Sequence, residues 1–285
     1  MRFNRDTFLE DHDRLRPVSF TQANEQHAEC AGVPVLSNPN TDPCTVAIWF
    51  RMTSTTADGL LFAISDTDGP RNIRNIQVRS NNSLRVQEGS PSTIASADIS
   101  SAVTDGQWHL AIGYWTGSGR GIAIDGGGFT TNSTSVTLSG VDTCFIATGD
   151  FGGGFKIWAD VSIAMVGLWD EQFNAQSSAD LFASKAHFKD FRTSTRKALW
   201  VADWQNPRQI REAEGREWLN MSYVTTTGTP AASPYTPPIR FSDFSQEYRR
   251  FKAPAVAGRI MSSLVASGGL AGPGGIAGPG GGLAA

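Results

Sequence analysis

Cysteine is scarce in this chain of 285 residues, and the three present, Cys30, Cys44 and Cys144, show none of the paired spacings that build a metal or thiol-redox site. Their odd number argues against a disulfide framework. A single bridge between Cys30 and Cys44, or three reduced and buried thiols, are the two readings left open. Charge is balanced rather than abundant: 24 basic against 27 acidic residues give a formal net charge of −3, and no long basic run occurs, so nucleic acid is not an expected partner. No apolar run reaches membrane-spanning length, because Arg259 interrupts the most apolar stretch near the C-terminus. Met1 to Arg14 is charged throughout and lacks the apolar core of a signal peptide, so the chain is expected to mature in a cytoplasm. A Gly-x-Ser-x-Gly elbow is missing as well, which removes one arrangement for nucleophilic hydrolysis.

What the chain does have is alternation. From Trp108 onward, Trp108, Leu110, Ile112 and Tyr114 fall on one face and His109, Ala111, Gly113 and Trp115 on the other, the period of a strand. His109 is expected as a packed or rim histidine rather than a base. Asp105-Gly106 ahead of this run is a turn signal, and Ile122-Ala123-Ile124 ends in Asp125-Gly126, a pair that tolerates the positive φ of tight hairpins. Val161 to Trp169 is apolar on both alternating sets, which predicts a strand buried on both faces in mid-sheet. Earlier, Val18 to Thr21, Thr45 to Met52, Leu60 to Ile64, Ile76 to Val78 and Ser83 to Val86 read as short strands separated by Gly, Asn and Asp.

These segments together resemble a laminin-G-like domain, a concanavalin A-like lectin/glucanase sandwich. The similarity lies in the Asp105-Gly-Gln-Trp-His-Leu run, the Gly121-Ile-Ala-Ile-Asp-Gly126 strand, the Val161 to Trp169 strand and the aromatic Thr45 to Met52 strand. Asp170 to Ala183 is similar to the family's closing turn and short helix, with Asn174 as its cap. The resemblance implies an all-β fold, an antiparallel two-sheet jelly-roll sandwich over residues 16–188, with extended N- and C-terminal arms. Residues 1–15 form the N-terminal arm, 189–228 a connecting segment and 229–285 a Pro/Gly-rich extension.

Beyond residue 188 the composition changes. Lys197 to Trp204 reads as one more strand, and Arg208 to Leu219 as a charged, helix-permissive stretch holding Glu212, Glu214 and Glu217. Thr229 to Pro238 is too rich in proline for a helix or a central strand. Phe241, Phe244, Tyr248 and Phe251 recur at spacings of three and four, one stripe of a short helix that needs covering and is the expected assembly contact. In the tail, glycine falls at every third position from Gly269 through Gly272, Gly275 and Gly278 to Gly281. That spacing suits a triple bundle, and the alternative is a disordered tail.

Enzymes of the resembling architecture carry two carboxylates on one strand, and no Glu-x-Asp-x-Glu pattern occurs on any predicted strand, so no catalytic residue is expected. For glycan binding the candidates are Trp115 and Trp158 as platforms, with Asn72, Arg74 and Asn75 as polar partners. Trp49, Trp108 and Trp169 are expected in the core. For calcium, which many such sandwiches hold at one rim, the candidates are Asp66, Asp68 and Asp150, with a metal-free rim as the alternative and no other cofactor implied. The Gly-Ala-Pro-rich tail appended to this sandwich resembles structural proteins of tailed bacteriophages. That resemblance implies a non-catalytic virion component, in a capsid decoration or in a tail or fibre, whose partners are other virion subunits, as a homo-oligomer with a trimer to be checked. The alternative is a carbohydrate-binding adhesin module that recognises cell-surface glycans. No membrane partner is implied.

Overall fold

The computed structural model describes residues 17–31, 36, 38–55, 57–69, 71–151, 156–184, 188, 191–201, 209–212, 221–224 and 230–232. The N-terminal arm, His12 and His187, the stripe Phe241, Phe244, Tyr248 and Phe251, and the glycine triplets lie outside the described residues. In chain order the strands are β1 (Val18–Phe20), β2 (His27–Ala31), β3 (Cys44–Arg51), β4 (Gly59–Ser65), β5 (Ile73–Val78), β6 (Leu84–Gly89), β7 (Ile94–Ile99), β8 (Trp108–Thr116), β9 (Gly119–Ile124), β10 (Thr130–Asn132), β11 (Thr143–Ile146), β12 (Val161–Trp169), β13 (Arg196–Val201), β14 (Gln209–Glu212), β15 (Met221–Val224) and β16 (Ala231–Ala232). The helix α1 (Ala175–Ser184) follows β12.

Every pairing is antiparallel. One sheet runs β10-β9-β8-β3-β12-β13, with β1 on the other end of β12 and β16 on β1; the second runs β15-β2-β11-β4-β5-β6-β7. β14 joins them: its Arg211 and Glu212 pair with β13, while Gln209 and Ile210 pair with β15. The chain thus forms the expected concanavalin A-like sandwich, and β12 is buried along its whole length between β3 and β13. Two expectations need correction. The sandwich does not close at residue 188, because β13 to β16 complete its sheets. Gln209 to Glu212, read as helix-permissive, is a strand, because open ladder edges on both sides of it supply hydrogen bonds that outweigh local propensity.

The alternation around Trp108 holds. Leu110 and Ile112 join Trp49, Met165, Trp169 and Leu199 on the outer face of the first sheet, where α1 covers them with Leu181, and half-buried Trp108 and Phe182 pack against the same cluster. Ala111 and Trp115 face inward to the core shared with Ile76 and Val86 of the second sheet. Gly113 marks how closely the sheets approach, since a Cβ there would lie 2.9 Å from Ile76.

A charged cluster sits inside this apolar layer. Glu88 of β6 accepts from Arg74 Nε of β5 at 3.0 Å and from Arg120 Nη2 of β9 at 2.9 Å, and all three side chains are essentially fully buried. The surplus positive charge is spread over carbonyls: Arg74 donates to Asn40 O and Asp42 O, and Arg120 to Thr134 O. The cysteines are three free, buried thiols, with no bridge between Cys30 and Cys44. Cys30 lies opposite Cys144 on adjacent strands, and burial pushes all three thiols above their ordinary value.

At the rim, His109 ties two turns together. Its Nδ1 lies 2.7 Å from Asp125 Oδ2 and its Nε2 3.0 Å from Asp105 Oδ1. Asp125, at φ 49°, also accepts from Leu110 N at 2.8 Å, and Gly126 follows at φ 79°. The hydrogen bond to Asp125 raises the imidazole pKa above 6.5, burial opposes it, and Asp105 adds to the rise. A raised folded-state pKa gives stability that is complete below 6.5 and is lost as pH rises through the folded value. Denaturant unfolding from about pH 5.5 to about pH 8.5 is therefore expected to find decreasing stability, and His109→Gln to flatten that slope. An unchanged slope in the variant would assign the pH dependence to other groups.

Candidate functional site

The sequence-chosen polar residues turn out to be structural. Arg74 is committed to Glu88, two carbonyls and the Cys44 thiol. Asn72 accepts from Ser139 N at 3.2 Å through Oδ1, and its Nδ2 lies 3.5 Å from Asp66 Oδ2. Asn75 projects from the opposite face of β5 to Arg74 and is buried, with neither amide atom hydrogen-bonded. It stands in a row with Gln87 and Ser96 across β5, β6 and β7. Trp115 is wholly buried and donates through Nε1 to Gln87 O at 3.0 Å, so it is no platform. Trp158 is half-buried, with its indole nitrogen buried and without a hydrogen bond.

The carboxylates proposed for calcium are likewise divided. Asp66 is buried and caps its own turn, accepting from Asp68 N and Gly69 N at 3.0 and 2.8 Å. Asp68 is exposed, whereas Asp150 is buried and its backbone forms an isolated antiparallel β-bridge with that of Lys156. Among the described residues no three His, Cys, Asp or Glu side chains come together as a metal site. The DTDG segment is turn chemistry, with Asp66 doing the work of an Asx cap.

A different cleft forms on the outer face of the first sheet, beside the start of α1. It is shallow and open to solvent, spans about 500 Å³ and is lined by Tyr114, Phe129, Gln172, Phe173, Asn174 and Ala175. Its construction follows from one row of the sheet, Gly121 (β9), Tyr114 (β8), Thr45 (β3) and Trp169 (β12). The Tyr114 ring lies directly on Gly121, where a Cβ would come within 2.5 Å of it. On the other side, Thr45 Oγ1 donates to Glu171 O at 2.6 Å and accepts from Phe173 N at 3.1 Å, which holds Gln172 and Asn174 beside the tyrosine. Phe129 meets the Tyr114 ring edge-on, with centroids 5.0 Å apart.

Asn174 caps the helix as expected, with Oδ1 accepting from Ser177 N and Ser177 Oγ at 2.9 Å each. Arg192 pairs with Glu171 at 2.6 Å, donates to Ser177 Oγ at 2.7 Å and lies over the Phe173 ring. Tyr114 is 7% exposed, and its hydroxyl makes no hydrogen bond to the described residues. The cleft therefore offers a fixed aromatic wall, a phenolic hydroxyl and exposed amides. Residue-type reasoning chose Trp115 and missed its neighbour, although Tyr114 lies on the other face of the same strand and opposite a glycine, which was the available signal.

This is a lectin-type sandwich, by strand order and by its helix-covered sheet. A family model described as the concanavalin A-like lectin/glucanases superfamily matches residues 23–177, and the chain belongs to that family. No curated protein matches it in sequence. Among solved structures, it is similar to a candidate carbohydrate-binding protein from Bacteroides ovatus, with TM-score 0.53 and 10% identity over 80% of this chain and 62% of that one. A heptameric SAP-like pentraxin from Limulus polyphemus gives 0.49 and 16% over 78% and 96%, and domains LG4-5 of mouse laminin alpha1 chain give 0.45 and 12% over 56% and 43%. At these identities the likeness is one of fold.

The row that builds the cleft makes a stability prediction. Gly121→Ala should cost about 1–3 kcal/mol by forcing the Tyr114 ring off its seat. Gly117→Ala, which meets nothing within 4 Å, should be close to neutral in the same thermal unfolding experiment. Equal effects at the two positions would mean that the ring is not held there.

Proposed function

We propose that this chain is a non-catalytic carbohydrate-binding module whose ligand sits in the Tyr114 cleft. The observation that carries the reading is the Tyr114 ring pinned on Gly121, its hydroxyl unpaired among the described residues, in a cleft that Gln172 and Asn174 also line. A sugar ring has an apolar face and a periphery of hydroxyls, and it needs a rigid aromatic surface together with planar amide donors and acceptors. Membership of a lectin-type family supports the class of ligand, and the Bacteroides ovatus protein is a candidate carbohydrate binder on the same fold. A non-catalytic role is favoured by Glu88, a strand carboxylate committed to two arginines and closed off from solvent.

The test is a glycan array with the full chain, followed by titration of the hits. Tyr114→Ala is expected to weaken binding at least tenfold, Trp115→Phe to leave the preference among glycans unchanged, and the bound glycans to be recovered uncleaved. Binding that survives Tyr114→Ala would place the site elsewhere, and cleaved product would end the non-catalytic reading.

A second reading is favoured by the sequence after residue 228, with its proline strap, aromatic stripe and glycine triplets. In it the sandwich is displayed on a repetitive assembly such as a virion, anchored through homo-oligomeric or neighbouring-subunit contacts. Ordering an extended arm costs about 1–2 kcal/mol per residue, which a neighbouring surface can offset. Deleting the residues after Tyr235 is then expected to leave a folded sandwich that no longer self-associates in light scattering. Unchanged association would remove the anchoring role.

A further inference from the structure

Resting on the reading of the Tyr114 cleft as a sugar site, we infer that its ligand is an acidic sugar, one whose carboxylate docks where α1 begins. Asn174 and Ala175 line the cleft, so it opens at the N-terminus of a ten-residue helix. The first N–H groups of a helix have no partner within it, and together they carry a positive partial charge. Asn174 Oδ1 satisfies Ser177 N, and its backbone O takes Ser178 N; the N–H groups of Ala175 and Gln176 have no partner among the described residues. Acidic side chains are favoured near these groups, and the first turn of α1 has none.

A second feature points to the same ligand independently of the helix. Tyr114 is more than nine-tenths buried and lines the cleft, and its hydroxyl, unpaired among the described residues, can donate to a carboxylate oxygen. Two oxygens can thus be met from two sides, one by the helix N–H groups and one by the phenol. The carboxylate nearest the cleft in sequence is compensated, and Asp180, one turn further along α1, accepts from the Gln176 side-chain amide at 2.7 Å. That nearest carboxylate, Glu171, is neutralised by Arg192 and accepts a hydrogen bond from the Thr195 hydroxyl, and Arg192 reaches the Ser177 hydroxyl in the first helical turn. Phe129, the half-buried ring of the pair, takes the apolar face of the sugar, and Gln172, which is exposed, is free to bond its hydroxyls.

The experiment titrates the full chain with matched pairs of methyl glycosides, glucuronide against glucoside, and with a sialylated trisaccharide against its asialo core. The acidic member is expected to bind about tenfold more tightly, a preference that shrinks in about 0.5 M sodium chloride. Ala175→Asp places a carboxylate at the first helical position, which the helix tolerates, and should bring the acidic-to-neutral ratio to about one. Ala175→Asn, the same size without charge, should keep it. Equal binding of both members by the unaltered chain, or a ratio that survives Ala175→Asp, overturns the inference and leaves the sugar site standing. Failure of every glycan in both sets to bind overturns the sugar site and the inference together.

Discussion

Glu88 holds the open side of the sandwich together. On the other side, β14 passes from one sheet to the next and closes the structure with backbone hydrogen bonds. The sheets end at β7 and β10 on the open side, where closure falls to side chains: Glu88 to Arg120 across the gap, Trp115 Nε1 to Gln87 O next to it, and Arg74 behind. A buried carboxylate between two guanidiniums adds little net stability compared with a well-packed apolar core, because desolvation offsets most of the attraction. What it supplies is position. With the glutamate removed, or moved out of register, two buried guanidiniums are left uncompensated, so the strands that carry the three side chains have one acceptable register.

That register determines the outer surface. Trp115 and Arg120 are directly opposite each other on β8 and β9, and both point inward to β6. Successive strand residues point to opposite faces, so Tyr114 and Gly121, each one residue away, must both point outward. The ring then lies on the glycine because nothing else is there, and Thr45, opposite Tyr114 on the other side, brings the 171–173 segment and the start of α1 against it. The cleft is the outward image of the inward anchor.

Much of the fold was legible in the sequence because the two-residue period around Trp108 and the doubly apolar Val161 to Trp169 run leave few choices of face. The helix cap at Asn174 was legible for a similar reason, since it rests on local chemistry alone. The site was not. Arg74 and Asn75 differ by one residue and face opposite ways, so their polar character promised a surface that neither reaches. Glu88 carried no signal at all, because only contact across the sheets distinguishes a buried ion partner from a solvated one. Gln209 to Glu212 misled for the opposite reason, its local propensity being overruled by two vacant ladder edges that sequence does not display.

The contrast between Trp115 and Tyr114 makes the general point. Both are aromatic, adjacent and nearly or wholly buried, and a scale of aromatic size or polarity favours the tryptophan as a sugar platform. What separates them is the residue across the ladder, a long inward arginine for Trp115 and a glycine for Tyr114. A large partner keeps the space above a strand filled, whereas a glycine leaves a shelf on which a ring can lie flat with one edge free. An aromatic opposite a glycine in an antiparallel pair, with a helix start held nearby by a threonine hydroxyl, is a pattern that strand register can reveal and composition cannot.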